Sequence, residues 1–371
     1  IEGGIAGTVN LRTRVPFDQS GDVLSASVEA SYADFAGETT PTFSILGSKR
    51  WENSLGEFGL LANFVDSQLK SRGDGQQISN FSLRSDLGPT PIFFPRGASF
   101  RSQTFDRQRT GYAAAGQWRS PDRTMIATAQ FLRSEASQAW TEHAVEIATD
   151  NVTSNGDSRP VLGTTFDFGD DGVFTNGTIT GPTGWRDDQL EGRDNRTPAF
   201  GLQSNNQRRD VLSENVTTDY GFNFKWTPNE RLKFNFDLQR VESTVENLDA
   251  TTWASTYQNA SIQLRGDDVP IVTFLPPSEN GVVTQCPSTP PTPDTDCPRY
   301  YNGANDSFSD PFNSFFRNNM DHAEDSEGEL TAVKLDGEYT FDEDSWLDSV
   351  RFGYRRAERE QTTRFSQYNW G

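Results

Sequence analysis

The chain has 371 residues, a formal net charge of −20 and a mean hydropathy of −0.70. So acidic a balance argues against nucleic acid as a partner, because phosphate recognition needs basic stripes. No apolar run approaches the roughly 20 residues of a membrane helix, which leaves membrane-crossing strands open, since these are short and only half apolar.

In chain order, Ile1-Glu2-Gly3-Gly4 carries no initiator Met, basic segment or apolar leader, and Tyr368-Asn369-Trp370-Gly371 is no natural stop, so the sequence reads as a piece of a longer protein. Side chains alternate faces along a strand. Leu24, Ala26, Val28, Ala30 and Tyr32 share one face of a first strand, and Phe43, Ile45 and Gly47 belong to a second that ends near Trp51. Phe58, Leu60, Ala62 and Phe64 mark a third, Tyr112, Ala114, Gly116 and Trp118 a fourth, and Met125, Ala127, Ala129 and Phe131 a fifth. The sixth and seventh form the plainest pair, Phe222–Trp226 and Leu232–Gln239, separated by Thr227-Pro228-Asn229-Glu230. One face of that hairpin is Phe222, Phe224, Trp226, Leu232, Phe234, Phe236 and Leu238. The other is Asn223, Lys225, Lys233, Asn235, Asp237 and Gln239. Thr331, Val333, Leu335, Gly337, Tyr339 and Phe341 mark an eighth strand, and Val350, Phe352 and Tyr354 a ninth.

A soluble sandwich would bury the apolar face against a second sheet. A membrane barrel would turn it to lipid and line its lumen with the polar one. The connections favour the barrel. Glu52–Gly56, Ser120–Asp122, Thr227–Glu230 and Asp342–Trp346 are tight polar turns, whereas the stretches near 71–106, 138–208 and 246–325 are long. Long structureless loops do not suit a compact soluble domain, but short turns at one end and long extracellular loops at the other are the barrel pattern. Trp51, Phe58, Trp118, Trp226, Phe341 and Trp346 gather beside the short turns, where an interfacial aromatic girdle belongs.

Little points to catalysis. His143 and His322 stand in no metal-ligand spacing, and no serine nucleophile elbow or phosphate-binding glycine loop occurs. No cofactor or metal is expected, and the chain reads as a non-enzyme, although a glycosidase carboxylate pair could hide among so many acids. Asp167-Phe168-Gly169-Asp170-Asp171-Gly172 has oxygen ligands for calcium but lacks the spacing of a calcium-binding loop, so an ordinary acidic turn is expected. Cys286 and Cys297 bracket a Pro-rich loop. They read as a disulfide in an oxidising compartment, worth about 3 kcal/mol in the chain-entropy picture, with free thiols as the alternative.

The stretch Gly3-Gly4-Ile5-Ala6-Gly7-Thr8-Val9-Asn10-Leu11-Arg12-Thr13-Arg14 resembles the last plug strand of TonB-dependent outer-membrane receptors, and Pro16-Phe17-Asp18 fits the crossover into the barrel. Met320–Glu329 and Ser349–Thr362 resemble a Caulobacter/Xanthomonas-type branch of that family. The resemblance implies a transmembrane antiparallel β-barrel of 22 strands closed by a plug, in the bacterial outer membrane, with uptake driven by the TonB–ExbB–ExbD complex. Residues 1–16 would be the end of the plug and 17–371 the first part of the barrel, about nine strands of it. The energy-coupling box, most of the plug and over half the barrel lie outside this sequence, so the chain by itself would transport nothing.

Aromatic side chains stand among amides and acids in the long connections: Trp140, Trp185, Trp253, Tyr257, Tyr300, Tyr301, Phe312, Phe315 and Phe316. Flat apolar faces beside polar groups suit a saccharide; the plainer reading is that they pack the loops together. Trp140, Trp185, Trp253, Tyr257, Tyr300, Tyr301 and Phe315 are the candidate ligand contacts, and Lys225, Lys233, Asn235, Asp237 and Gln239 the candidate lumen-facing residues. Asp267, Asp268, Asp294, Asp296, Asp306 and Asp310 would repel an anionic siderophore while leaving neutral oligosaccharides unaffected. An oligosaccharide is therefore the preferred cargo. A ferric siderophore, or a soluble all-β secreted glycan-binding protein or glycosidase, is the alternative.

Overall fold

The hairpin written so plainly in the sequence is the centre of a much larger sheet. The computed structural model describes residues 12–87, 90–149, 158–183, 201–266, 268–276, 314–342 and 344–370. A single 3-10 turn, Pro16–Asp18, precedes the strands β1 (Val23–Ala33), β2 (Glu38–Asn53), β3 (Gly56–Ile78), β4 (Phe81–Arg84), β5 (Ile92–Pro95) and β6 (Gly97–Arg119). Next come β7 (Met125–Ala148), β8 (Arg159–Pro160), β9 (Asp167–Phe168), β10 (Phe174–Thr180), β11 (Pro182–Thr183), β12 (Gly201–Asn229) and β13 (Leu232–Arg265). The last are β14 (Asp268–Leu275), β15 (Phe315–Thr340), β16 (Ser349–Phe365) and β17 (Asn369–Trp370).

Nine long strands pair antiparallel with their sequence neighbours, in the order β1-β2-β3-β6-β7-β12-β13-β15-β16. These are the nine expected from alternation. Among the described residues β1 and β16 each pair on one side only, so the meander is a large antiparallel sheet with two open edges and not a closed barrel.

One expectation needs correction. The connections expected near 71–106, 138–208 and 246–325 are shorter, because the strands run far into them: β3 to Ile78, β6 from Gly97, β7 to Ala148, β12 from Gly201, β13 to Arg265 and β15 from Phe315. The sequence there hides strands, because these stretches, buried in part where the connections pack on them, are too polar to show a sustained apolar alternation. Of the expected plug strand over Gly3–Arg14, residues 3–11 lie outside the described residues, and Arg12–Arg14 are not strand.

The short turns do lie at one end. Ser54-Leu55 joins β2 to β3, and Glu230-Arg231 joins β12 to β13, with Thr227-Pro228 absorbed as an irregularity at the end of β12. Asn229 Oδ1 accepts from the Arg231 and Leu232 backbone N–H groups, both at 3.0 Å. Asn favours such a turn because its side chain can bond its own backbone two residues on. At the opposite end the connections fold onto the strands around a hydrophobic core of Ile92, Phe94, Ala98, Ile147, Phe174, Ile179, Leu202, Ala260, Ile262 and Val272. There β13 pairs with β14 and β10, and β10 with β8 and β9. The connections are thus a packed cap. Arg84 is wholly buried in it, held by Asp86 at 2.7 and 2.6 Å and donating to Ser158 Oγ at 2.9 Å.

Candidate functional site

The strand register sorts the large side chains at the turn end onto one face. Trp51 pairs with Phe58 and Phe58 with Trp118. On the neighbouring strands Met125 pairs with Trp226 and Trp226 with Phe234. This row holds Trp51, Phe58, Trp118 and Trp226 of the six aromatics expected beside the short turns, whereas Phe341 and Trp346 lie in the β15–β16 connection. Six residues further along four of the same strands lies a second row: Phe64 beside Tyr112, and Phe131 beside Tyr220. The rows are stitched by ring contacts: Trp51–Phe58 at 5.8 Å and Trp226–Phe234 at 5.7 Å in the first, Phe64–Tyr112 at 5.4 Å and Phe131–Tyr220 at 5.5 Å in the second. Between them the face carries Leu60, Ala62, Ala114, Ala127, Ala129, Phe222, Phe224, Phe236 and Leu335. Six residues of strand span about 20 Å, a little under the roughly 25 Å apolar band of a membrane barrel. Beyond the second row the same face turns charged at Asp66, Arg133, Glu135, Arg240 and Glu242.

This belt is bare. Leu24 is 81 %, Val28 77 %, Leu60 58 % and Phe352 56 % exposed, and no second sheet covers them among the described residues. Further up, the same face is apolar again at Ile78, Ala98, Ile147, Leu202 and Ile262, but there the cap buries it. One face is therefore packed by protein at one end and unpacked at the other.

The belt also crosses the hydrogen-bond ladder obliquely. A single ladder row runs Glu52–Glu57–Arg119–Ile126–Lys225–Asn235–Asp336–Gly353. Trp51, Phe58 and Trp118 lie one residue inside that row, Trp226 and Phe234 one residue towards the turns, and Tyr339 and Val350 three. Strands tilted through a flat slab produce such a drift.

The opposite face is polar. Lys225, Lys233, Asn235, Asp237 and Gln239 all lie on it, and several are hydrogen-bonded across it. Asn223 Nδ2 donates to Asn235 Oδ1 and Asp237 Oδ1 at 2.7 Å each, Gln239 Nε2 to Asp219 Oδ2 at 2.8 Å, and Lys233 Nζ to Glu338 Oε1 at 3.5 Å. The N-terminal segment rests on this face near the turns. Phe17 N–H donates to Gln117 Oε1 at 2.7 Å, and Gln130 Nε2 to Thr13 Oγ1 at 2.7 Å. The Phe17 ring lies 5.0 Å from the Arg50 guanidinium and 4.7 Å from that of Arg119, both of which bind Glu57. A Cβ on Gly59 would stand 2.4 Å from Pro16 Cβ, so only glycine admits the segment there.

Further from the turns, Trp140 and Trp253 also lie on the polar face, within strands and not in loops. A row runs Phe105–Trp140–Val211–Asp249–His322 across five strands. The Phe105 and Trp140 rings are 6.0 Å apart. Arg209 sits 5.0 Å over Trp140 and donates to Asp249 Oδ1 at 2.9 Å. Buried Glu142 accepts from Arg101 and Gln207 at 3.1 Å each. His322 stacks on Tyr368 at 4.5 Å. Sequence reading missed the second aromatic row, Phe105 and these arginines. The repeated six-residue spacing of aromatics would have revealed the row. The arginines carry no local signal, because only register brings them together.

Of the other candidates, Tyr257 lies within β13 and Phe315 begins β15, whereas Trp185, Tyr300, Tyr301, Cys286 and Cys297 lie outside the described residues. Asp167–Gly172 forms a turn in which Gly172 N–H donates to Gly169 O at 2.9 Å. Among the described residues no cluster of His, Cys, Asp or Glu is placed to hold a metal. No protein-family model matches the chain, and comparison with curated proteins and with solved structures finds no match either.

Proposed function

We propose that the nine-strand meander is one wall of an outer-membrane β-barrel, that its bare belt faces lipid, and that it serves TonB-driven uptake of an oligosaccharide. The observation that carries the wall is the belt: an apolar face edged by two aromatic rows, uncovered at the turn end and covered only beyond a charged zone. Water would penalise that exposure at roughly 25 cal/mol per Å² of apolar surface, whereas lipid would not. The sequence resemblance supplies TonB, ExbB and ExbD as the drive, and the Phe105–Trp140 pair amid amides and carboxylates supports a sugar as cargo. In this reading the polar-face network around Asn235 and Asp237 lines the passage, and the chain carries out no chemical step.

Two experiments test it. The chain is refolded with and without vesicles of outer-membrane lipid. Folding only with vesicles, with strands protected from protease, is the expected result, and a monodisperse folded chain in plain buffer would sink the wall. Calorimetry in detergent against neutral oligosaccharides and ferric siderophores then addresses cargo. Sugar binding weakened by Trp140→Ala or Trp253→Ala is expected, and binding of an iron complex alone would overturn the saccharide.

A further inference from the structure

On the polar face, most arginines near the belt and the aromatic row already hold carboxylates. Arg50 and Arg119 share Glu57, Arg101 holds Glu142 and Glu146, and Arg209 holds Asp249. Two do not. Arg107 and Arg109 are alternate residues of β6 and so project from the same face as Phe105. The Arg107 guanidinium lies 4.7 Å over the Phe105 ring, and its Nε donates to Gln138 Oε1 at 3.0 Å. That contact fixes the plane of the fork, and among the described residues neither terminal nitrogen has a partner. Arg109 is exposed, and its side chain has no hydrogen-bond or ion-pair partner among the described residues.

The surroundings do not compensate them. Arg107 stands between Leu69 and Gln138, and Arg109 between Ser67 and Ala136. The nearby acids Asp66 and Asp106 lie on the opposite face, where they accept from Thr110 and Gln68. The next carboxylate on the polar face of β7 is Glu142, four residues beyond Gln138 and about 13 Å away along the strand. At physiological ionic strength charges are screened beyond about 8 Å. Among the described residues this spot is therefore locally cationic and flanked by the Phe105 and Trp140 rings.

We infer that Arg107 and Arg109, with Phe105 and Trp140, form a subsite for a carboxylate-bearing sugar ring, so that the cargo is an acidic oligosaccharide such as a uronate oligomer. The planar guanidinium of Arg107 matches a carboxylate in two-point fashion. The ring faces turned away from the Arg107 and Arg209 guanidiniums suit sugar C–H surfaces, and Gln138 Nε2 and Gln103 Oε1, whose partner atoms already bind Arg107 and Glu142, can meet hydroxyls. The subsite rests on the uptake reading and sharpens its cargo from neutral to acidic. It also reverses, for this patch, the expectation that anions are repelled.

The test is calorimetry on the full chain folded in detergent, with trigalacturonate, its methyl-esterified uncharged form, neutral galactotriose and inorganic phosphate as probes. Trigalacturonate is expected to bind at least about tenfold more tightly than its ester or galactotriose, with the preference shrinking as salt rises. Arg107→Gln/Arg109→Gln should weaken trigalacturonate at least about tenfold, so that acid and ester bind alike, and Arg107→Lys/Arg109→Lys should restore the preference only in part. Equal binding of acid and ester, or phosphate binding as tight as trigalacturonate, would overturn the subsite. The acid–ester comparison on the unaltered chain decides the matter even where the variants fail to fold. A chain that needs lipid yet ignores the carboxylate keeps the wall and loses the subsite. One that folds in plain buffer yet prefers trigalacturonate does the reverse.

Discussion

At the residue scale, single side chains mark where backbone or charge has no alternative. Gly59 is bare because Pro16 occupies the space of its side chain. Gly59→Val should expel the Pro16–Asp18 turn and break the Phe17 contact with Arg50 and Arg119. Protease should then cut at Arg12 or Arg14 many times faster, while strand content by circular dichroism stays the same. Arg84 and Asp86 give a pH prediction. The bidentate bond from the Arg84 guanidinium holds the Asp86 carboxyl below its usual range. A carboxyl whose folded pKa is depressed stabilises the fold above its unfolded value, near 3.9, and loses that contribution as pH falls through the folded one. The cap should therefore loosen below about pH 4, seen as faster amide exchange in β4 and β5, and Asp86→Asn should abolish that acid dependence by weakening the cap at neutral pH as well. Neither position could be read from sequence: Gly59 sits in an ordinary alternating run, and Arg84 in a polar stretch that gives no sign of burial.

Elements were legible wherever one face of a strand is apolar. The hairpin Phe222–Gln239 announced itself because its two faces differ in every residue, and the same contrast located the turn-end halves of the other seven long strands. Their far halves were hidden. β12 continues from Tyr220 back to Gly201 through Asp219, Thr217, Asn215 and Ser213, polar residues that pair as strand without any hydrophobic period. Backbone hydrogen bonds and neighbours extend these strands, and a polar sequence neither demands nor forbids it. The turns obey local rules. Removing the Asn229 acceptor with Asn229→Ala should cost about 1 kcal/mol, measured by urea unfolding from detergent, whereas Ser54→Ala, whose side chain the turn does not need, should cost little. The belt makes the sharper demand. In lipid, Phe224→Lys places a charge between the two aromatic rows and should cost about 2–4 kcal/mol near mid-plane. Asn223→Lys, one residue away on the other face, should be tolerated. Equal effects of the two, measured by folding yield into vesicles, would deny that the faces see different solvents.

At the scale of the whole molecule, the fold divides by height along the strands. The turn end presents the belt on one face and a hydrogen-bonded polar network on the other. The middle is charged on both, and the far end is clothed by the cap. Composition alone anticipated the acidic, helix-poor character of this arrangement, and alternation anticipated the number of long strands. The joining of connections into a cap around Phe94 and Phe174 was out of reach, because those contacts link residues distant in sequence with no shared pattern.

The count of long strands has a geometric corollary. Because the meander reverses direction at every step and has an odd number of members, β1 and β16 run the same way. Joining those two edges directly would make a parallel pair, out of keeping with every other long pairing in the sheet. A second copy turned about an axis along the strands would meet the first by the same parallel edges. A copy flipped end over end would meet it antiparallel, but with its aromatic rows at the wrong height for a shared bilayer. If the sheet is one wall of a barrel, only an odd number of further strands, carrying an apolar band at the same level, can complete an all-antiparallel ring with it.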